Sequence, residues 1–204
     1  MIILKHIFIK GNEKSDITLI LLHGRGGRET DLLHIAATVD QNANVLAYRG
    51  EVLEGEQTRF FERLNLRTFD EDSLKNESEK LFNQIVADSQ EFGFDLTRTV
   101  LIGYSNGANI AAHMLLNHKT KFLGAMLMHP GYFSEQVSDV DLSHLNVLLT
   151  AGARDAMTTA GEAYKLKQLL EARGAKAEVK LTDGGHEIDS MEPMEGHVWL
   201  LGVK

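Results

Sequence analysis

The sequence contains no cysteine among its 204 residues. That absence removes disulfides, thiolate zinc sites, iron–sulfur clusters and cysteine nucleophiles together. Proline is nearly as scarce, at two residues, and no proline-rich linker, internal repeat or low-complexity tract divides the chain. Residues 1–204 therefore read as one domain, of a length that buries roughly 70% of its unfolded surface and needs no covalent staple. No run approaches the roughly 20 apolar residues that span a bilayer. The apolar start, residues 1–10, is interrupted by Lys5 and lacks a basic leader and a small-residue cleavage site, so it reads as a first strand. With neither an export signal nor disulfides, the expected location is the cytoplasm, without membrane insertion. Basic residues are outnumbered as well, 21 Lys and Arg against 29 Asp and Glu, for a net charge of −8. Such a chain repels phosphate backbones and its cations are scattered, so nucleic acid is not an expected partner. Serine, the carboxylates and nine histidines remain for chemistry.

What is present has a regular rhythm. Residues 17–22, 44–48, 99–104, 123–129 and 146–151 are mostly apolar runs with polar flanks, the composition of strands buried on both faces. Residues 175–182 alternate Ala177, Val179 and Leu181 with Glu178 and Lys180, which predicts a strand with one wetter face. Between them, Leu74, Leu81, Phe82, Ile85 and Phe92 recur at helical spacing across 72–92, with Ser78 and Ser89 as small members of the stripe. Residues 107–118 are apolar almost all round. Thr159 and Glu162 form a capping-box signature for a helix ending at Gly174. This alternation predicts an α/β protein, a mostly parallel sheet of about seven strands with helices on both faces. In such sheets ligands sit outside the carboxyl ends of the strands.

The loops at those ends carry the candidates. Gly103-Tyr104-Ser105-Asn106-Gly107 is a G-x-S-x-G between a strand and a helix, the setting of a nucleophile elbow, where tight turning excludes bulk on both sides of the serine. Read otherwise, the glycines only allow close strand–helix packing. His23-Gly24-Arg25-Gly26-Gly27 follows residues 17–22 and can turn backbone N–H groups inward. The Arg25 and Asn106 amides are then the candidate oxyanion donors. A phosphate-binding loop is the competing reading, but the Lys-Ser/Thr pair and the third spaced glycine are missing. Gly152-Ala153-Arg154-Asp155 follows the 146–151 run, and Asp183-Gly184-Gly185-His186-Glu187 follows the last, completing the order Ser, Asp, His. His23 is expected to pin its loop, and His129 to be either a site residue or a structural hydrogen-bonder. His197 and Trp199 read as packing residues. His6, His34, His113, His118 and His144 show no ligand spacing, so no metal site is expected.

The segments LLHGRGG, GYSNGANIA, AGARD and GGHEI, in this order and spacing, resemble the small α/β-hydrolases of the phospholipase/carboxylesterase family, which also holds acyl-protein thioesterases. The similarity runs from Ile17 to Trp199. The stretch from Arg49 through Arg59-Phe60-Phe61-Glu62-Arg63 to Glu71 resembles a bacterial esterase subgroup. The resemblance implies an α/β-hydrolase fold without a separate lid domain, with Ser105 as nucleophile, His186 as general base and acid, and Asp155 as its orienting partner. It implies neither metal nor organic cofactor, and a small-molecule ester as partner. The expected function is a serine carboxylesterase for short or single-chain esters, as a monomer or homodimer. An acyl thioesterase using the same triad and a silent ligand-binding relative are the competing expectations. One departure stands out: Ala156-Met157-Thr158-Thr159 replaces a proline that the family often carries after the acid. This predicts a less rigid Asp155 loop and leaves Asp183 and Asp189 as fallback acids. The pocket is expected to be shallow and open, walled by a long irregular stretch over 51–70. Phe60, Phe61, Arg59 and His129 are its candidate lining. The two aromatics serve equally well as anchors, and Arg59 and Arg63 either attract an anionic substrate or form a salt-bridged face.

Overall fold

A strand that is apolar on every side chain needs a core on each face, and the apolar runs find one. The structure is a computed structural model that describes residues 4–204. Its elements are β1 (His6–Ile9), β2 (Thr18–Leu22), α1 (Leu33–Val39), β3 (Asn44–Tyr48), β4 (Val52–Glu54), β5 (Gln57–Arg59), β6 (Arg63–Asn65), β7 (Thr68–Phe69) and α2 (Glu71–Phe92). They continue with β8 (Thr99–Tyr104), α3 (Asn106–Asn117), β9 (Gly124–Met128), β10 (Asn146–Gly152), α4 (Ala160–Glu171), β11 (Lys176–Thr182) and α5 (Glu192–Val203).

Seven strands form one sheet in the order β1-β3-β2-β8-β9-β10-β11. Among the described residues of this sheet, only the β1–β3 pair is antiparallel. Side chains alternate across the pleat, so β2 sends Ile20 and Leu22 into a core shared with α2, α3 and α4. Leu19 and Leu21 enter a second core shared with α1 and α5. This is the expected mostly parallel sheet covered on both faces. Among the described strands, the edge strand β11 pairs only with β10; Ala177 and Val179 pack against the core as its alternation predicts, whereas Leu181 on the same face is exposed.

Local signals set the helix ends. The Asp70 side chain accepts from Ser73 N–H at the start of α2, and Gly93, at φ 71°, closes it in the left-handed region. The Thr159–Glu162 capping box opens α4. The expected first strand begins at His6, and residues 1–3 lie outside the described residues. Two features differ from expectation. Helix α1 has seven residues, too few for its periodicity to stand out. The 51–70 stretch is not irregular: it folds into two small antiparallel ribbons, β4–β5 and β6–β7. Strands of two or three residues are too short to register as alternation.

Candidate active site

Ser105 sits at the turn from β8 into α3 with φ 50° and ψ −108°, a conformation that non-glycine residues rarely adopt. Its own N–H donates to Met128 O at 2.9 Å, extending the β8–β9 ladder into the turn. The flanking glycines are sterically required. A Cβ on Gly107 would lie 2.0 Å from Leu22 O, and one on Gly103 would lie 2.7 Å from Gly107 O. Both contacts are with backbone, which cannot swing aside.

From this turn the Ser105 hydroxyl reaches His186 Nε2 at 2.8 Å, and His186 Nδ1 lies 2.7 Å from Asp155 Oδ2. An Nδ1–H donating to the carboxylate leaves Nε2 free to accept the serine proton. The residue before the serine fixes the imidazole's loop, because Tyr104 Oη donates to His186 O at 2.7 Å. Asp155 Oδ1 accepts the Met157 and Thr158 N–H groups at 2.8 and 2.9 Å, and Thr158 Oγ1 donates to Oδ2 at 2.9 Å. Burial opposes the charge on this carboxylate, but the Thr158 and His186 hydrogen bonds prevail and hold its pKa down to about 2. Asp183 and Asp189 make no hydrogen bond to His186; Asp189 Oδ1 instead accepts from Met191 N–H.

The glycine-rich loop after β2 lies opposite. Gly26 N–H and Gly27 N–H donate to Thr58 O and Gly24 O, while the N–H groups of Arg25 and Asn106 have no acceptor among the described residues. His23 pins the loop: its Nδ1 lies 2.6 Å from Gly24 O, and its Nε2 accepts from Gly50 N–H at 3.0 Å. Burial lowers its pKa, which keeps the ring neutral and able to accept.

Behind the acid lies a feature that the sequence does not announce. His129 is fully buried with φ 51°. Its Nε2 lies 2.8 Å from Glu192 Oε1 and its Nδ1 3.4 Å from Asp155 Oδ2. Glu192, buried at the start of α5, also accepts from Thr150 Oγ1 at 2.5 Å and from Asp189 N–H at 2.8 Å. Burial disfavours charge on His129, but Glu192 and then Asp155 outweigh it and raise its pKa. His129 thus stands behind the triad and does not line the cavity. His129, Asp155 and His186 offer three metal-ligand atoms within 4.8 Å of one another. A metal there would have to break the Asp155–His186 bond that orients the imidazole.

The cavity at Ser105 has a volume of about 50 Å³ and is lined by Arg25, Arg59, Arg63, Leu66, Phe69 and Phe133 besides the triad side. Its expected aromatic wall needs correcting. Phe60 and Phe61 are 3% and 0% exposed and do not line it. Phe60 packs on His23 at 4.7 Å between ring centroids and Phe61 on Phe69 at 4.9 Å. They anchor the ribbons, and Phe69 and Phe133 take the lining positions. A larger cleft of about 690 Å³ lies by the starts of β10 and β11, far from the strand ends that carry Ser105.

Known proteins resemble this chain over nearly its whole length. A family model described as Phospholipase/Carboxylesterase matches residues 5–198. MhqD of Bacillus subtilis (strain 168), whose hydrolase designation is itself provisional, is 39% identical over 96% of this chain and 97% of its own. The crystal structure of the Bacillus cereus carboxylesterase superposes with a TM-score of 0.95 at 37% identity, covering 98% of this chain and 95% of that one. A Mesorhizobium loti carboxylesterase gives 0.88 at 30% identity, over 92% and 90% of the two chains.

Proposed function

The chain belongs to the phospholipase/carboxylesterase family of hydrolases, and from that premise we propose that it is a serine carboxylesterase for short esters, working through Ser105, His186 and Asp155. The observation that carries this reading is the unbroken line from Ser105 Oγ through His186 to Asp155, at 2.8 and 2.7 Å, beside two unengaged backbone N–H groups. His186 Nε2 takes the Ser105 proton as Oγ attacks the ester carbonyl. The tetrahedral oxyanion is received by the Arg25 and Asn106 N–H groups, each such donor being worth on the order of 10²–10³ in rate. The imidazolium, stabilised by Asp155, protonates the leaving alcohol. His186 then draws a proton from water, which attacks the acyl-enzyme and frees the acid. The small cavity supports short acyl groups.

The test is an ester series from acetyl to palmitoyl, run beside Ser105→Ala and fluorophosphonate labelling. Turnover is expected to fall as the chain lengthens, and Ser105→Ala to lose on the order of 10⁶ in kcat together with the label. A strong preference for matched thiol esters would make the protein a thioesterase. Absence of both turnover and labelling would make it a ligand-binding relative of the fold.

A further inference from the structure

Three guanidinium groups crowd one carboxylate at the mouth of the Ser105 cavity. Glu54 Oε2 accepts from Arg59 at 2.8 Å and lies 3.4 Å from Arg25, and Oε1 lies 3.3 Å from Arg63. All three arginines line the cavity together with Ser105, Asn106 and His186. The local balance is therefore positive in a chain whose net charge is −8. Solvent screens the shared carboxylate, which is 42% exposed, whereas the Arg59 side chain is only 5% exposed. A buried guanidinium is costly unless its donors are used. Yet Arg59 Nε has no partner among the described residues, and neither has Nδ2 of the buried Asn106 next to the nucleophile. Burial, reinforced by the charges of Arg63 and Arg25 and only partly offset by Glu54, holds Arg59 below its usual pKa. Tying the ribbons together explains one Arg–Glu pair. It does not explain three cations on one anion, or two idle buried donors on residues that line the Ser105 cavity.

Building on the esterase reading of this site, we propose that Arg59, Arg63 and Asn106 form an anion subsite that selects small esters carrying a free carboxylate close to the scissile bond. Monoesters of short dicarboxylic acids have this chemistry. The carboxylate meets the guanidinium groups and the Asn106 amide while the ester carbonyl lies against Ser105 Oγ. The cavity volume, about 50 Å³, is roughly that of two water molecules, which keeps the two carboxyl groups only a few bonds apart. The acid released is a dianion that the same cations hold, so product inhibition follows.

The test compares kcat/KM for monoethyl succinate with that for neutral ethyl 4-oxopentanoate, in which a methyl ketone replaces the free carboxylate, by pH-stat titration of released acid. The unmodified protein is expected to favour the monoester. Arg59→Gln is expected to lower that ratio by about 100-fold and Arg63→Gln by about tenfold, the range of hydrogen bonds to charged groups. Because Arg59 is buried, the partly exposed Arg63 supplies the deciding variant should Arg59→Gln fail to fold. No preference in the unmodified protein, or an unchanged ratio in folded Arg63→Gln, overturns the subsite. Calorimetric titration with succinate separates the two readings. Succinate binding that Arg63→Gln weakens supports the subsite even when neither ester turns over. Hydrolysis of ethyl 4-oxopentanoate without succinate binding keeps the esterase and removes the subsite.

Discussion

The side of the cavity that holds Ser105 and His186 hangs from the carboxyl ends of sheet strands, whereas the facing side hangs from two short ribbons. On the first side, backbone sterics leave almost no choice, since neither Gly103 nor Gly107 has room for a methyl group. On the second, the ribbons are tied by Glu54 to three arginines and by Phe60 N–H donating to Asn106 Oδ1 at 2.7 Å. Asn106 joins the sides, lending its backbone N–H to one and its side chain to the other. The difference separates two kinds of constraint: Ser105 is placed by backbone sterics at its turn, and the proposed substrate wall by side-chain contacts that can change without disturbing that turn.

The sharpest way to break that contrast is on the sheet side. Gly107→Ala puts a methyl group 2.0 Å from Leu22 O, and overpacking against immovable backbone is expected to exceed the ~3 kcal/mol upper end for strained cores. Thermal melts and fluorophosphonate labelling should show a destabilised protein with an unreactive serine; a normal melt with full labelling would refute the steric account. Next comes Asp155→Asn, expected to keep the fold and lose about 10⁴ in kcat, as in other triads deprived of the carboxylate charge. The folded pKa of Asp155, about 2, lies below its ordinary 3.8. Its stabilisation is therefore present above pH 4 and lost as pH falls towards 2. The melting difference between Asp155→Asn and the unmodified protein should shrink over that window.

Glu192→Gln probes the layer behind. It removes the nearer anion from His129, whose pKa is raised in the fold. The stabilisation from a raised histidine is complete below pH 6.5 and lost as pH rises through the folded value. The variant should cost about 1–3 kcal/mol at pH 6, and its loss of stability on alkalinisation should be smaller and finish at lower pH, both visible in melting curves against pH. The smallest effect is expected on the ribbon side. Leu66 is 51% exposed at the cavity, so Leu66→Ser should change stability by no more than about 0.5 kcal/mol. It should still move KM several-fold on esters of different chain length; an unmoved KM would remove Leu66 from the wall.

The two sides also differ in how far the sequence discloses them. Strands β2, β3, β8, β9 and β10 are visible as apolar runs, and Ser105, Asp155 and His186 each follow one strand of the sheet, so chain order alone lines them up. The ribbons escape notice because side-chain alternation needs more than two or three residues to appear. For the same reason Phe60 and Phe61 could not be told apart from Phe69, whose ring does line the cavity. Glu192 is invisible because its partner His129 is 63 residues away and only the meeting of β9 with α5 brings them together. The missing proline after Asp155 is a different case. Its absence suggests a loose loop, but Thr158 secures the carboxylate through both its N–H and its hydroxyl, a contact that depends on χ1 and not on composition.

His186 is carried by the loop after β11, the edge strand that pairs with β10 alone and exposes Leu181. Opening free energies vary across a protein, and edges with few buried contacts open before the core does. Opening at this edge would withdraw the imidazole while the elbow beneath Ser105, held among buried strands, stays folded. Turnover is therefore expected to fall reversibly with warming below the cooperative transition, which turnover and ellipticity followed across one thermal ramp would check; a simultaneous loss of both would refute it.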